Sequence, residues 1–181
     1  MMNHSSVHAL NGLSVRKLED VPPSGFDCGR ESQTRFLYDY AWHDQRQRVS
    51  TTYLYHVAEL LAAYATVCMD AIPLGRRERP SAIRYQEIAA LKLAQLGVDR
   101  LFQGRGYGSF AVASVIALAI ELSQRAGCRY VTLDAKPNLV EWYQSLGFEI
   151  NQLKQKQRIA AAADRNPDEI PVSMRFDLRE V

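Results

Sequence analysis

Cysteine is scarce in this chain, and its three copies do not form a pattern. Cys28, Cys68 and Cys128 are odd in number, widely spaced and without a CxxC pair. This argues against a disulfide framework or a zinc site, and it fits a reducing, cytoplasmic compartment. Each cysteine reads as a small buried hydrophobe, and no metal site is expected. A large charge of one sign is also missing: the net charge is +2, so the whole molecule is no obvious polyanion binder. Long hydrophobic runs are absent as well. The longest, 110–122, falls short of the roughly 20 apolar residues that span a bilayer. Met1 to Gly12 has neither the basic start nor the apolar stretch of a signal peptide. The expectation is a soluble, cytoplasmic protein with no membrane partner.

The composition present is that of an ordinary globular chain, with 47% hydrophobic and 23% charged residues. Its 181 residues suit one domain, expected over 13–181 behind a flexible segment 1–12. Leu13 to Leu18 alternates as a half-buried strand does and is broken by Pro22-Pro23-Ser24-Gly25. Arg30 to Arg48 has a helical pattern, with Phe36, Leu37, Tyr40 and Ala41 on one face. Strands are expected at 51–57 and about 62–72, joined by a turn at Glu59-Leu60-Leu61. Pro73 to Pro80 reads as an exposed basic loop, and Glu87 to Val98 as a strand. An apolar helix follows from Ser109 to Ala126, closed by Gly127 as a left-handed cap. Then come a strand at Arg129–Asp134, a short helix at Asn138–Leu146 closed by Gly147, and strands at 148–151 and 171–178. The stretch 152–169 between those last strands is basic at first and then alanine-rich. The order makes an α/β chain with a mixed sheet.

The segment Gln103-Gly104-Arg105-Gly106-Tyr107-Gly108 joins a strand to a helix. It therefore sets unpaired backbone N–H groups and the positive end of a helix dipole where an anion can sit. Glycine there lets phosphates approach the backbone. Arg105 adds a charge and Ser109 a hydroxyl. A Walker A loop would need Gly-Lys-Ser/Thr, and a dinucleotide fold needs another glycine spacing near its first strand; neither is met.

With its flanks, Leu96 to Ser109 resembles the central motif of the GNAT superfamily, the Gcn5-related N-acetyltransferases: an apolar strand, a connector, Gln/Arg-x-x-Gly-x-Gly/Ala and a helix. Asn138, Tyr143 and Gly147-Phe148 resemble the family's late motif. The resemblance implies a mixed, mostly antiparallel sheet of six or seven strands, flanked by helices and splayed around a CoA site. It implies acetyl-CoA as cofactor, transferred to an amine acceptor. Leu96, Gly97 and Val98 would line the pantetheine arm, with a backbone N–H toward the thioester carbonyl. Gln103, Gly104, Arg105, Gly106, Tyr107, Gly108 and Ser109 would hold the pyrophosphate. Tyr143 would protonate the departing thiolate. Asn138 would touch the arm or cap the short helix after Pro137.

Histone-modifying members carry a glutamate base on the strand before the glycine loop, and the corresponding position here is Lys92. Direct attack by an amine that is already neutral needs no base, which favours acceptors of low amine pKa over lysine side chains. Phe26-Asp27-Cys28-Gly29 followed by Phe36-Leu37 and Ala41 resembles the opening of GNAT-type toxins from bacterial toxin–antitoxin pairs, which acetylate charged tRNA. Gln33-Thr34 departs from their usual Leu-Asp. That resemblance implies charged tRNA as acceptor and an antitoxin as partner. Arg76, Arg77 and Arg79, with Lys154, Lys156 and Arg158, are candidate phosphate contacts, weighed against a plain solvated surface. Small-molecule acceptors (a polyamine, an amino acid or an antibiotic) and a non-catalytic CoA-binding module are the alternatives. Val112, Ile116 and Ile120 share a helical face that serves a core or a homodimer.

Overall fold

A computed structural model describes residues 12–162, 166 and 170–181. The segment 1–11, expected to be a flexible arm, and most of the alanine-rich 163–169 lie outside them. Among the described residues, seven strands form one mostly antiparallel sheet in the order β1-β2-β3-β4-β5-β7-β6. The strands are β1 Leu13–Lys17, β2 Thr51–Val57, β3 Leu60–Pro73, β4 Glu87–Val98, β5 Tyr130–Ala135, β6 Glu149–Ile150 and β7 Val172–Asp177. The helices are α1 Glu31–Asp39, α2 Ala41–Arg46, α3 Tyr107–Arg125, α4 Val140–Ser145 and α5 Gln152–Ala161. Internal contacts gather into two compact units, Met1–Thr66 with Gln95–Ser114, and Val67–Ala94 with Val115–Val181.

In the first unit, β1 and β2 pair antiparallel from Leu13↔Val57 to Lys17↔Tyr53. Leu18, just after β1, and Leu54 of β2 enter a core with Phe26, Cys28, Leu37, Ala41, Leu61 and Tyr64. The helix expected over Arg30 to Arg48 is two helices. The chain bends at Tyr40 (φ −122°, ψ −37°), so Leu37 and Ala41 reach the core while Tyr40 is left exposed. The expected turn at 59–61 is also displaced. The reversal is at Ala58 and Glu59, with Ala58 in the left-handed region (φ 50°), and Leu60 already begins β3. Alanine is an unusual residue for that conformation, which is why the sequence signals no turn there.

In the second unit, β4 runs parallel to β5 from Ala90↔Tyr130 to Leu93↔Leu133, and its last residues, to Val98, belong to the first unit. β7 lies antiparallel to β5 from Tyr130↔Asp177 to Ala135↔Val172, and β6 pairs with β7 at Glu149↔Arg175. Ile72, Leu74, Ile88, Ala90 and Tyr130 form its core. The stretch after β6 is helical, and the missing signal was its N-terminus. Asn151 offers no side-chain cap, and Glu78 from the loop after β3 accepts the N–H groups of Gln152 and Leu153 instead. The same carboxylate accepts from Gly75 N and from Arg175 at 2.9 Å. The 73–80 loop is therefore not a free basic loop. Leu74 is buried, and Arg79 donates to the carbonyls of Arg84 and Tyr85. Only Arg76 and Arg77 among its arginines are exposed.

α3 starts at Tyr107, two residues before the expected Ser109. At 19 residues it is long and apolar enough to cross a bilayer, contrary to the sequence expectation. In this fold it buries Ala111, Val112, Val115 and Ala119 instead, while Ile116 and Ile120 are half-buried. An ion pair between Glu121 and Arg125 (3.0 Å) closes its end. Gly127 does not have a positive φ, so the left-handed cap expected there is absent.

Candidate functional site

The glycine loop begins where β4 stops. Asp99 is 6% exposed, and its carboxylate accepts Leu101 N at 2.9 Å, capping a 3-10 turn over Arg100–Phe102. Gln103 follows in an extended conformation. Gly104 (φ 72°) and Gly106 (φ 89°) then take left-handed conformations before α3 opens at Tyr107. A Cβ at either glycine would meet nothing within 4 Å. Glycine is required there by backbone conformation, and the space over the loop is open. The first bond of the helix is Phe110 N to Gly106 O. The amides of Tyr107, Gly108 and Ser109 therefore precede any intrahelical donor, as the first turn of every helix requires. With the exposed Arg105 they make a positive, open cradle fit for a diphosphate. The Tyr107 ring stands edge-on to Phe102 at 5.3 Å, which steadies the helix start.

Gly97 has a different reason. A Cβ on it would lie 2.5 Å from Tyr64 Cε1 and 3.2 Å from Phe26 Cζ. The missing side chain makes room for the Tyr64 ring. Leu96 and Val98 on either side are half-buried.

Gln103 is also employed within the protein. Its side-chain amide donates to Cys28 O and to Val98 O, both at 2.9 Å. Leu96 to Val98 and Gln103 to Ser109 all belong to the first unit.

Tyr143 and Asn138 belong to the second unit. Tyr143, on α4, is 7% exposed, with its ring centroid 4.6 Å from Trp142 and 5.7 Å from Phe148. The adjoining Gly147 has φ 91°, and a Cβ there would lie 2.9 Å from Phe176, so the Gly-Phe pair is fixed by both conformation and space. Asn138 sits exposed within the 3-10 turn Pro137–Leu139; it caps neither that turn nor α4, which removes the capping explanation.

Lys92, at the position of the family's base, is ion-paired with Asp134 at 2.8 Å. Asp134 also receives Arg158 of α5 at 2.6 Å. Burial alone would raise the Asp134 carboxyl. The hydrogen bonds from Lys92 and Arg158 outweigh it and hold the group below the usual carboxylate range. Such a carboxylate is a poor proton acceptor. Beside it, Asp70 accepts Thr132 Oγ1 at 2.7 Å and pairs with Lys154 at 3.7 Å. Of the second basic cluster, only Lys156 is fully exposed. That Asp99, Asp134 and Glu78 organise these neighbourhoods is not legible in the residues alone, because each has a partner more than 40 residues away.

Residues 26–148 match the model of the Acetyltransferase (GNAT) family. The chain belongs to that family. The match opens on Phe26 and closes on Phe148, so it takes in the glycine loop, Lys92 and Tyr143. Solved structures of similar fold include the toxin AtaT bound to the C-terminus of the antitoxin AtaR and acetyl-CoA (20% identity, 94% of this chain and 96% of that one, TM-score 0.71). Others are AtaT complexed with acetyl-methionyl-tRNAfMet (22%, 93% and 96%, 0.74) and a tyrosine-to-phenylalanine mutant of KacT (20%, 93% and 96%, 0.74).

This GNAT protein is an acyl-CoA N-acyltransferase, with acetyl-CoA as its donor. The residues present suit that donor: two left-handed glycines under open space, a helix N-terminus and an exposed arginine. Bound acetyl-CoA supplies an activated acetyl thioester.

Proposed function

We propose that this enzyme acetylates the α-amino group of an aminoacyl-tRNA, as a toxin countered by an antitoxin, in the cytoplasm. The observation that carries the reading is the Lys92–Asp134 ion pair: the base position holds a cation, and its neighbouring carboxylate is held below the ordinary range. Without a base, the acceptor must arrive neutral. At pH 7 an α-amine with pKa about 7.8 is neutral in roughly one molecule in seven, whereas a lysine amine with pKa about 10.4 is so in roughly one in 2,500. An α-amine is thus favoured by a few hundredfold before any contact is made.

Residues 13–181 would act as one acetyltransferase domain. The backbone amides of Tyr107, Gly108 and Ser109, with Gly104, Arg105 and Gly106, would hold the donor's pyrophosphate. Leu96, Gly97 and Val98 would present strand backbone to the pantetheine arm. β4 runs five residues past its last pair with β5, which supports that use. Asn138, exposed, is available to touch the arm. Tyr143 would hold a proton at Oη for the departing thiolate, while the acceptor amine loses its own proton to water. The family match, the buried Tyr143 beside Gly147-Phe148 and the fold shared with AtaT support this reading. AtaT's complex with the AtaR C-terminus supports an antitoxin partner of the same kind. Of the two basic clusters, the exposed Arg76, Arg77 and Lys156 are available to tRNA phosphates.

The test is incubation with labelled acetyl-CoA and, in parallel, charged tRNA, polyamines and lysine peptides. Label is expected only on charged tRNA and should leave when the aminoacyl ester is hydrolysed. Label on polyamines alone would sink the proposal.

A further inference from the structure

Two stretches that the sequence presents as separate, Phe26–Gly29 and Asp99–Gln103, are bound into a single piece in the first unit. Asp27 N donates to Asp99 Oδ2 at 2.9 Å, and Arg100 N donates to Asp27 O at 2.9 Å. Asp27 Oδ1 accepts Gly29 N at 2.7 Å, folding its own turn. Gly29 has φ 77°, and a Cβ on it would lie 2.9 Å from Arg100 Nε. Gln103 completes the ring: its amide bridges Cys28 O and Val98 O, tying the end of the connector back to its start. Phe26 anchors the turn in the core, edge-on to Tyr64 at 5.5 Å.

Three hydrogen bonds thus tie Asp99, Arg100 and Gln103 to the turn, and Asp99 N adds a fourth tie through Ala62 O. Gly104 and Gly106, just beyond, stand in open space. The connector has a fixed base and an open crest.

We propose that the Phe26–Gly29 turn, acting through Asp99 and Gln103, is the positioning element of the pyrophosphate cradle. Gln103 shapes the cradle from behind through its side chain instead of touching phosphate with it. Preorganising the cradle lowers the ordering cost of binding the diphosphate, so the benefit falls on ligands that carry one. The inference rests on acetyl-CoA as donor and is independent of the acceptor.

Binding is measured by calorimetry for two probes, acetyl-CoA and acetyl-pantetheine, which keeps the thioester arm but lacks the pyrophosphate. Gln103→Met keeps the length and removes both donors. It is expected to weaken acetyl-CoA about tenfold, as two lost hydrogen bonds would. Acetyl-pantetheine should change less than about twofold, because Gln103 meets the strand-borne arm site only at Val98 O. Asp99→Asn should follow the same split, and if it does not fold, Gln103→Met carries the test alone. Equal losses on both probes, or unchanged acetyl-CoA affinity, would overturn the proposal. Wild-type protein that fails to bind acetyl-CoA would instead overturn the donor. A change of acceptor leaves all of these readings intact.

Discussion

Lys92 on β4 and Asp134 on β5 meet at 2.8 Å, and their contact replaces a proton-accepting group with an ion pair. Arg158 completes the arrangement from α5. Lys92→Met is expected to cost roughly 1–2 kcal/mol of stability, since it leaves Asp134 with one partner on a partly buried site. Acetyl transfer to charged tRNA should stay within about threefold of wild type, whereas losing a general base costs roughly 100-fold or more. Urea unfolding and initial rates on one preparation check both. A rate loss of the larger size would show Lys92 to be part of the chemistry.

Tyr143→Phe keeps the ring that packs on Trp142 and Phe148 and removes only the hydroxyl. If that hydroxyl protonates the thiolate, kcat falls by roughly 100- to 10,000-fold with acetyl-CoA affinity unchanged. Single-turnover rates and calorimetry give the two numbers. Unchanged turnover would remove the acid role.

Gly97→Ala drives a methyl into the Tyr64 ring. That ring cannot easily yield, because its hydroxyl donates to Gln33 O at 2.8 Å and its face stacks on Phe36 at 6.4 Å. The expected cost is roughly 1–3 kcal/mol of overpacking, partly recovered in the Gly97→Ala, Tyr64→Leu double variant. Denaturation midpoints of the four-member cycle test this; strict additivity would contradict the contact.

His56 is 5% exposed, with Nε2 at 3.1 Å from Arg16 and Nδ1 without a hydrogen-bond partner among the described residues. Burial first and Arg16 second hold its imidazole below the usual range, with Glu59 opposing weakly. The unfolded chain takes up a proton there near pH 6.5, where the folded chain does not. Stability is therefore expected to fall as pH drops below about 6.5. His56→Gln should flatten that slope between pH 7.5 and 5.5 in urea titrations; an unaltered slope would assign it to other groups.

Some of this was legible in the residues alone. β4 is legible over its full observed length, Glu87 to Val98, because an apolar run of strand length ends at a short connector before the glycines. The cradle was readable for the same reason, since strand, glycines and helix are contiguous and local rules govern them. Where local chemistry was ambiguous the reading slipped. Tyr40 suits the helical pattern, yet the core takes Leu37 and Ala41 by bending the chain there. α5 lacked a visible start because its capping carboxylate, Glu78, is 74 residues away in sequence.

The sequence by itself determined the family and the donor, because these rest on short contiguous patterns with a direct backbone meaning. Only the tertiary structure decided what individual side chains do. The Gln103 amide bonds Cys28 O and Val98 O, Gly97 yields space to Tyr64, and Lys92 pairs with Asp134. A side chain's partner is fixed by which strands and turns the fold brings beside it. No local spacing encodes that.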